Sequence, residues 1–525
     1  MKRIVYIALF YCGCLLTPSC VGDLDQFPHT ETTSENIYNS IESYYQVLAK
    51  IYTAMVTTGQ EQNGSEDLSS NKGFDYMRCY FNLQEVGTDE VAYTWLSGET
   101  LTDISNLSWD ATDVWVSDMY YRIYYNIALC NEFLRHTTDD AIAAFSGEEQ
   151  ATLRTYRAET RFLRALFYYH ALDFFHNIPF VTENDPVGSY IPPRYTARQI
   201  FEFIESELTA ITGTEAEGGL LNRDECPYGR ASQGAAYALL ARMYLNAETY
   251  IGETRYTECV TACNRVIEQG YTLEQDYAKL FNADNDKRTN EIIFTLPVDA
   301  TTTVSWGAST YVVCAAVPTS MAQNSVGVAS GWGSMRMRGA ASAQFGNDPR
   351  GMFITEGQTQ EVTDMTDESE GYVVTKWSNV TDAGETASNT AQSGVNTDYP
   401  LFRLADVYLM YAEATARGGQ GGSMDQAYQY VNALRNRVGA EEIPNWEAMT
   451  NDGCIFFLAE RLRELYWEGT RRTDLIRFNR FTTNTYLWEW KGGTQAGTGV
   501  DDRYNIYPIP STELTANPNL YNENY

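Results

Sequence analysis

Histidine is scarce in this chain: 525 residues carry four, at positions 29, 136, 170 and 176, too scattered to suggest a metal cluster. No HExxH, GxSxG or phosphate-cradling glycine loop occurs, so the familiar hydrolase and nucleotide-binding signatures are missing. Positive charge is short as well, with 37 Lys and Arg against 69 Asp and Glu and a net charge of −32. Phosphate recognition needs a basic footprint, so nucleic acid is excluded as a partner. Docking onto anionic headgroups by charge alone is excluded for the same reason. Beyond the N-terminus no stretch is apolar for 18 residues, so no second segment reads as a spanning helix. Cysteine gives no framework: after Cys12, Cys14 and Cys20 the remaining seven fall at 79, 130, 226, 259, 263, 314 and 454. Their odd number and irregular spacing do not read as disulfides. Cys259 and Cys263 share a helix face, but with no histidine nearby they read as small core residues, and no metal site is expected. "DNDKRTNE" spaces Asp284 and Asp286 like a calcium loop. It lacks the sixth-position glycine and the terminal glutamate, and reads as a polar turn.

What is present begins at the N-terminus. Lys2 and Arg3 precede a mostly apolar run from Ile4 to Leu16, and Ser19 stands just before Cys20. That run has signal-peptide length and is too short to span a bilayer. Residues 1–19 are therefore expected to be a lipoprotein signal, with Cys20 acylated as the first mature residue. An ordinary secretory signal cut nearby is the alternative. Cleavage would leave residues 20–525 as one domain, beginning with a hydrated tether at Asp23 and Asp25.

The 3.6-residue period predicts helices over 37–55, 113–136, 148–175, 197–211, 232–250, 255–270, 401–419, 424–439 and 454–469. Apolar pairs at 235/236, 239/240 and 243/244 mark a buried stripe. Two helix–turn–helix pairs, 232–270 and 401–439, resemble tetratricopeptide repeats, which bury their faces only by stacking into a superhelix. The 128 residues from 271 to 398 are too many for a plain connection. The fold class expected is mainly α: a tetratricopeptide-repeat-like superhelix from helices within about 36–270 and 399–485. A large irregular, loop-rich part carrying short strands is expected at about 60–110 and 275–398.

Order and coverage of motifs then point to a family. "CVGDLDQFP", "AETRFLRALFYYHALDFFHNIPFV", "GRASQGAAYALLARMYL", "NEIIFTLP", "LFRLADVYLMYAEA", "NALRNRVG", "ERLRELYWEGTRRTDLIRF" and the terminal "YPIPSTELTANPNLYNENY" follow one another along the chain. Together they resemble the SusD/RagB family of outer-membrane nutrient-binding lipoproteins of Bacteroidetes. His176 departs from the pattern, standing where the family has glycine. The resemblance implies a lipid-anchored, cell-surface glycan-binding protein without cofactor or enzymatic activity, serving a SusC-like TonB-dependent outer-membrane transporter. The acidic start after Cys20 resembles the surface-export signal of such lipoproteins. A peptide or other nutrient cargo in the same role, or a secreted glycoside hydrolase on a helical scaffold, are the alternatives.

Two constellations could carry chemistry. Glu460 and Glu464 lie i,i+4, and a retaining glycosidase needs two carboxyls about 5–5.5 Å apart. Arg461, Arg463, Arg471, Arg472 and Arg477 crowd them, so ion-paired packing is the stronger reading. The second constellation is aromatic: 38 Tyr, 22 Phe and 10 Trp. Sugar rings present C–H faces that stack on such planes, and the hydroxyls take polar partners. Outside the helical stripes, polar loops hold Tyr76, Arg78, Asp89, Tyr93 and Trp95, and again Trp306, Tyr311, Trp332, Arg336, Arg338 and Trp377. Isolated tryptophans in polar loops are where a carbohydrate platform is expected, so these eleven residues are the candidate ligand contacts.

Overall fold

A computed structural model describes residues 37–59, 67–68, 74–212, 218–388, 394–523 and 525. Cys20 and the expected signal segment lie outside the described residues. The chain divides into two units, Met1–Tyr44 and Tyr45–Tyr525, and the second holds every element discussed below.

The helices that matter are α1 (Tyr76–Phe81), α2 (Val114–Arg135), α3 (Gly147–Phe175), α4 (Ala197–Thr212), α5 (Gln233–Leu245), α6 (Tyr256–Ile267), α7 (Ala308–Ala315), α8 (Leu404–Ala416), α9 (Met424–Val438) and α10 (Phe456–Leu465). α2 packs on α3, α3 on α4, α4 on α5, α5 on α6, α6 on α8 and α8 on α9. The two helical hairpins, distant in sequence, are thus consecutive in one stack. Small side chains permit this: Ala235, Ala236, Ala238 and Ala241 of α5 and Ala405, Ala412 and Ala414 of α8 are buried. Cys259 and Cys263 of α6 are buried too. α3 begins with a capping box, in which the Ser146 N–H donates to Glu149 at 2.9 Å. It runs 29 residues without an internal glycine or proline and stops at His176, whose φ of 56° is the left-handed turn that glycine would make without strain.

Three predicted helices differ from those observed. The 232–250 segment breaks at Asn246, whose side chain donates back to the Arg242 carbonyl at 2.9 Å, so a separate turn, Ala247–Ile251, follows α5. Residues 401–403 are strand rather than helix: β8 (Tyr399–Arg403) pairs antiparallel with β4 (Ile292–Leu296) and is buried throughout. A short, wholly buried apolar run has no period to separate strand from helix. α10 ends at Leu465, four residues early. The carboxyl oxygens of Glu90 and Glu85 accept the N–H groups of Trp467 (2.7 Å) and Thr470 (2.9 Å) in place of helix carbonyls.

The irregular part holds the expected short strands. β1 (Val91–Tyr93) pairs with β5 (Met335–Met337), β2 (Ile178–Pro179) with β3 (Arg194–Tyr195), and β6 (Phe353–Ile354) with β7 (Val373–Val374), all antiparallel. β8 anchors this part to the stack through an ion-pair hub. Arg403 donates to Glu468 at 2.8 Å and to Glu464 at 2.6 Å, and Glu464 also pairs with Arg350 and Arg437. Glu460 is held by Arg350, Arg435 and Arg463. Both carboxylates are completely buried. The i,i+4 pair is therefore locked in packing, with no open face for a substrate.

Candidate functional site

The two loop segments singled out in the sequence come together at β1–β5. The register sets Val91 opposite Met337, Ala92 opposite Arg336 and Tyr93 opposite Met335. Beyond β1 the chain turns through residues 94–100, held by the Thr94 N–H on the Ser334 carbonyl (2.8 Å) and the Glu99 N–H on the Trp95 carbonyl (2.9 Å). This turn leaves Trp95 40% exposed. From the other segment, the turn before the wholly buried α7 leaves Trp306 52% exposed.

Arg78 joins both turns. Its Nη1 donates to the Trp306 carbonyl at 3.0 Å and its Nη2 pairs with Glu99 at 3.3 Å. Its guanidinium carbon lies 3.6 Å from the Phe74 ring centroid, 4.2 Å from Tyr311, 5.8 Å from Trp332 and 5.9 Å from Trp115, all within cation–π reach. Phe74 and Trp115 stack at 5.5 Å, and the Trp115 indole N–H donates to the Glu99 carbonyl at 2.8 Å. Asp75 is the second staple. It caps α1 by accepting the Arg78 N–H at 2.8 Å, and it accepts Ser305 Oγ at 2.6 Å and the Ala308 N–H at 3.3 Å. Gly307 fits against it only for want of a side chain: a Cβ there would sit 1.9–2.0 Å from the Asp75 carboxylate. A buried arginine and a buried aspartate thus fix two exposed indoles, with the half-buried Trp332 behind them. Such a surface offers flat apolar faces for stacking beside backbone and carboxylate acceptors.

Comparison with known proteins follows from this geometry. One family model, described as "SusD family", matches residues 270–525, and another, "Starch-binding associating with outer membrane", matches residues 46–245. The starch-binding protein SusD of Bacteroides thetaiotaomicron is 31% identical over 565 aligned residues, covering 97% of this chain and 96% of that one. The chain belongs to the SusD family. A SusD-like protein of Formosa agariphila is 25% identical, covering 98% of this chain and 97% of that one. Among solved structures, a laminarin-binding SusD-like protein superposes with a TM-score of 0.68 at 22% identity, over 93% of this chain and 100% of that one. The surface glycan-binding protein A of Bacteroides thetaiotaomicron, solved with laminarihexaose, gives 0.69 at 18% identity, over 92% of this chain and 99% of that one. The mainly helical fold is therefore that of SusD-like proteins. Among the described residues no helix is long and apolar enough to cross a membrane.

Within this SusD-family fold the eleven candidates separate by position. Trp95 and Trp306 are exposed and Trp332 is half-buried; the other eight are buried. Tyr76 shares a hydrogen bond with His170 Nδ1 at 2.6 Å. Asp89 takes both arms of Arg471, at 2.8 and 2.7 Å, and the Tyr486 hydroxyl at 2.6 Å. Tyr311 donates to Asn82 at 2.7 Å. Trp377 is wedged between Phe281 and Tyr399, each centroid 5.1 Å away. Arg336 grips Thr94 and donates to the Met365 carbonyl at 3.1 Å, which fixes the residue before Trp95. Arg338 spends its donors on the Val91 carbonyl (2.7 Å), Ser105 (3.1 Å) and the Glu489 carbonyl. Tyr93 faces the interior from β1. Sequence reasoning missed Phe74, Asp75, Glu99, Gly307 and Trp115. The available signals were an aspartate three residues before Arg78, a helix-capping spacing, and the glycine directly after Trp306.

Proposed function

We propose that this SusD-family chain binds an oligosaccharide at the cell surface and delivers it to a SusC-like TonB-dependent outer-membrane transporter, acting as a binding protein and not as an enzyme. The observation that carries the reading is the pair of exposed indoles, Trp95 and Trp306, set on turns that hold one guanidinium between them. Trp332 completes the platform, and of the buried candidates Arg78, Tyr311 and Arg336 support it. The family's relatives, with names that specify starch, laminarin and glycan, supply the ligand class. Glu460 and Glu464, the i,i+4 carboxylate pair weighed in the sequence, are buried and arginine-locked, which supports a binding role. Residues 20–525 act as one domain in this reading, tethered to the outer membrane through lipid on Cys20.

Sugar hydroxyls exchange water for protein partners with little net gain. A dissociation constant of roughly micromolar to millimolar is therefore expected, about −8 to −4 kcal/mol. Isothermal titration with soluble starch oligosaccharides and with laminarihexaose, followed by a broad glycan array, tests the proposal. Binding of at least one neutral glycan, lost in Trp95→Ala or Trp306→Ala, supports it. A protein that binds no glycan on the array but retains a peptide ligand defeats it in favour of a peptide cargo.

A further inference from the structure

Two adjoining clefts of about 470 and 490 Å3 share Phe345, Asn347 and Asp348; the first lies between the irregular part and α9 and α10, the second on the irregular part. The first is lined by Arg435 and Arg463, whose side chains are 14% and 15% exposed. Each faces Glu460 with its Nε–Nη2 edge: Arg435 at 3.2 and 2.5 Å, Arg463 at 3.3 and 2.9 Å. Each spends Nη1 on one carbonyl, Glu441 and Gln344, at 2.9 Å. A guanidinium carries five N–H donors, so both forks keep donors unspent on protein among the described residues. Asp348, also on the lining, does not oppose an anion. It is bound bidentately by the buried Arg350, at 2.9 and 2.6 Å. Glu460 is shared by three arginines, which hold its carboxyl down to about 2. Over Arg350, Arg435 and Arg463 against Asp348, Glu441 and Glu460 the charges balance, so an anion would be met here by directed guanidinium donors and not by net charge. The second cleft is different in kind. Phe353 and Tyr372 line it with rings 6.0 Å apart, both partly exposed, together with the hydroxyl and amide of Thr355 and Gln360.

We propose that the paired clefts form a second carbohydrate subsite that takes an acidic sugar. Its oxyanion, a uronate carboxylate or a sulfate ester, sits against the Arg435 and Arg463 forks, and a neighbouring ring lies on Phe353 and Tyr372. Planar forks match such oxyanions bidentately. The volumes suit a short oligosaccharide rather than a single ion. The ligand class rests on the glycan reading above, but the site is separate from the Trp95–Trp306 platform.

The test uses the mature chain, titrated with a galacturonic acid trimer, a sulfated galactose-based (carrageenan) disaccharide that carries no uronate, and neutral maltotriose. One acidic probe should bind, and binding should weaken as salt is added. Asn347→Trp fills the shared wall from an exposed position that carries no ion pair, and should cost about tenfold or more in affinity for that probe. Arg463→Gln should do the same, and Glu441→Gln, which removes an exposed carboxylate from the lining, should tighten binding. Trp95→Ala should leave it unchanged. Which acidic probe binds decides between carboxylate and sulfate. The proposal is overturned if neither acidic probe binds. Acidic-probe binding that survives Asn347→Trp, or that is abolished by Trp95→Ala, overturns it as well. Neutral-glycan binding lost in Trp95→Ala would stand through all of these failures, which keeps the two readings distinguishable.

Discussion

At the scale of single residues the account separates tryptophans that look alike in sequence. Trp95, Trp306 and Trp377 all sit in polar company, yet the first two are exposed and the third is 1% exposed between two rings. Trp306→Ala should abolish glycan binding and leave the thermal transition nearly unmoved. Trp377→Ala should cost roughly 3–5 kcal/mol in a denaturant titration. Local composition marked these segments as loops but could not tell which indole a distant segment would cover. Trp377 is covered by Phe281 and Tyr399, both far from it in sequence. A second residue-scale prediction concerns Glu90. Burial, helped by the neighbouring Asp89 and against the opposing pull of Arg471, the Trp467 N–H and the hydrogen bond with Glu85, pushes its carboxyl up to about 8. Between its ordinary value near 4.5 and about 8 the folded chain holds the proton that the unfolded chain has released. This group therefore subtracts stability as pH rises through that window. Melting curves of Glu90→Gln should lie above wild type at pH 8 and approach it at pH 5. A constant offset across that range would contradict the assignment.

At the scale of elements, the helices with a clear period and a cap were legible: α2, α3, α4, α6 and α9 end within a few residues of expectation. Apart from the break at Asn246, where a local side-chain bond intervenes, the errors fall where a tertiary partner replaces a local one. β8 exists because β4 pairs with it, and α10 stops because Glu85 and Glu90 reach in from elsewhere to take its next N–H groups. The site depends on the same kind of long-range staple. Gly307→Ala would drive a methyl into the Asp75 carboxylate and displace the turn carrying Trp306. Glycan affinity should fall about tenfold or more while far-UV circular dichroism stays that of the wild type, because residues 305–307 lie outside the helices. Unchanged affinity would remove Asp75 from the account of how the platform is held.

At the scale of the whole molecule, the ion-pair hub joins the irregular part to the helical stack. Glu464 is completely buried among Arg350, Arg403 and Arg437, which hold its carboxyl far below the usual range. Glu464→Gln leaves those cations undercompensated and should cost roughly 3–5 kcal/mol in chemical unfolding. The wild-type contribution of this group is present above the ordinary carboxylate pKa and is lost as pH falls below it. A variant as stable as wild type would show that the hub contributes no net stability. The membrane attachment proposed for Cys20 is tested by Cys20→Ala, which should abolish labelling with a clickable fatty acid. The central claim is tested most directly by a crystal structure of the protein with a neutral glycan that titration shows to bind. The account predicts a sugar ring in van der Waals contact, about 3.5–4.0 Å, with the Trp95 or Trp306 indole and with no bond cleaved. A neutral glycan bound elsewhere, with both indoles bare, would contradict it.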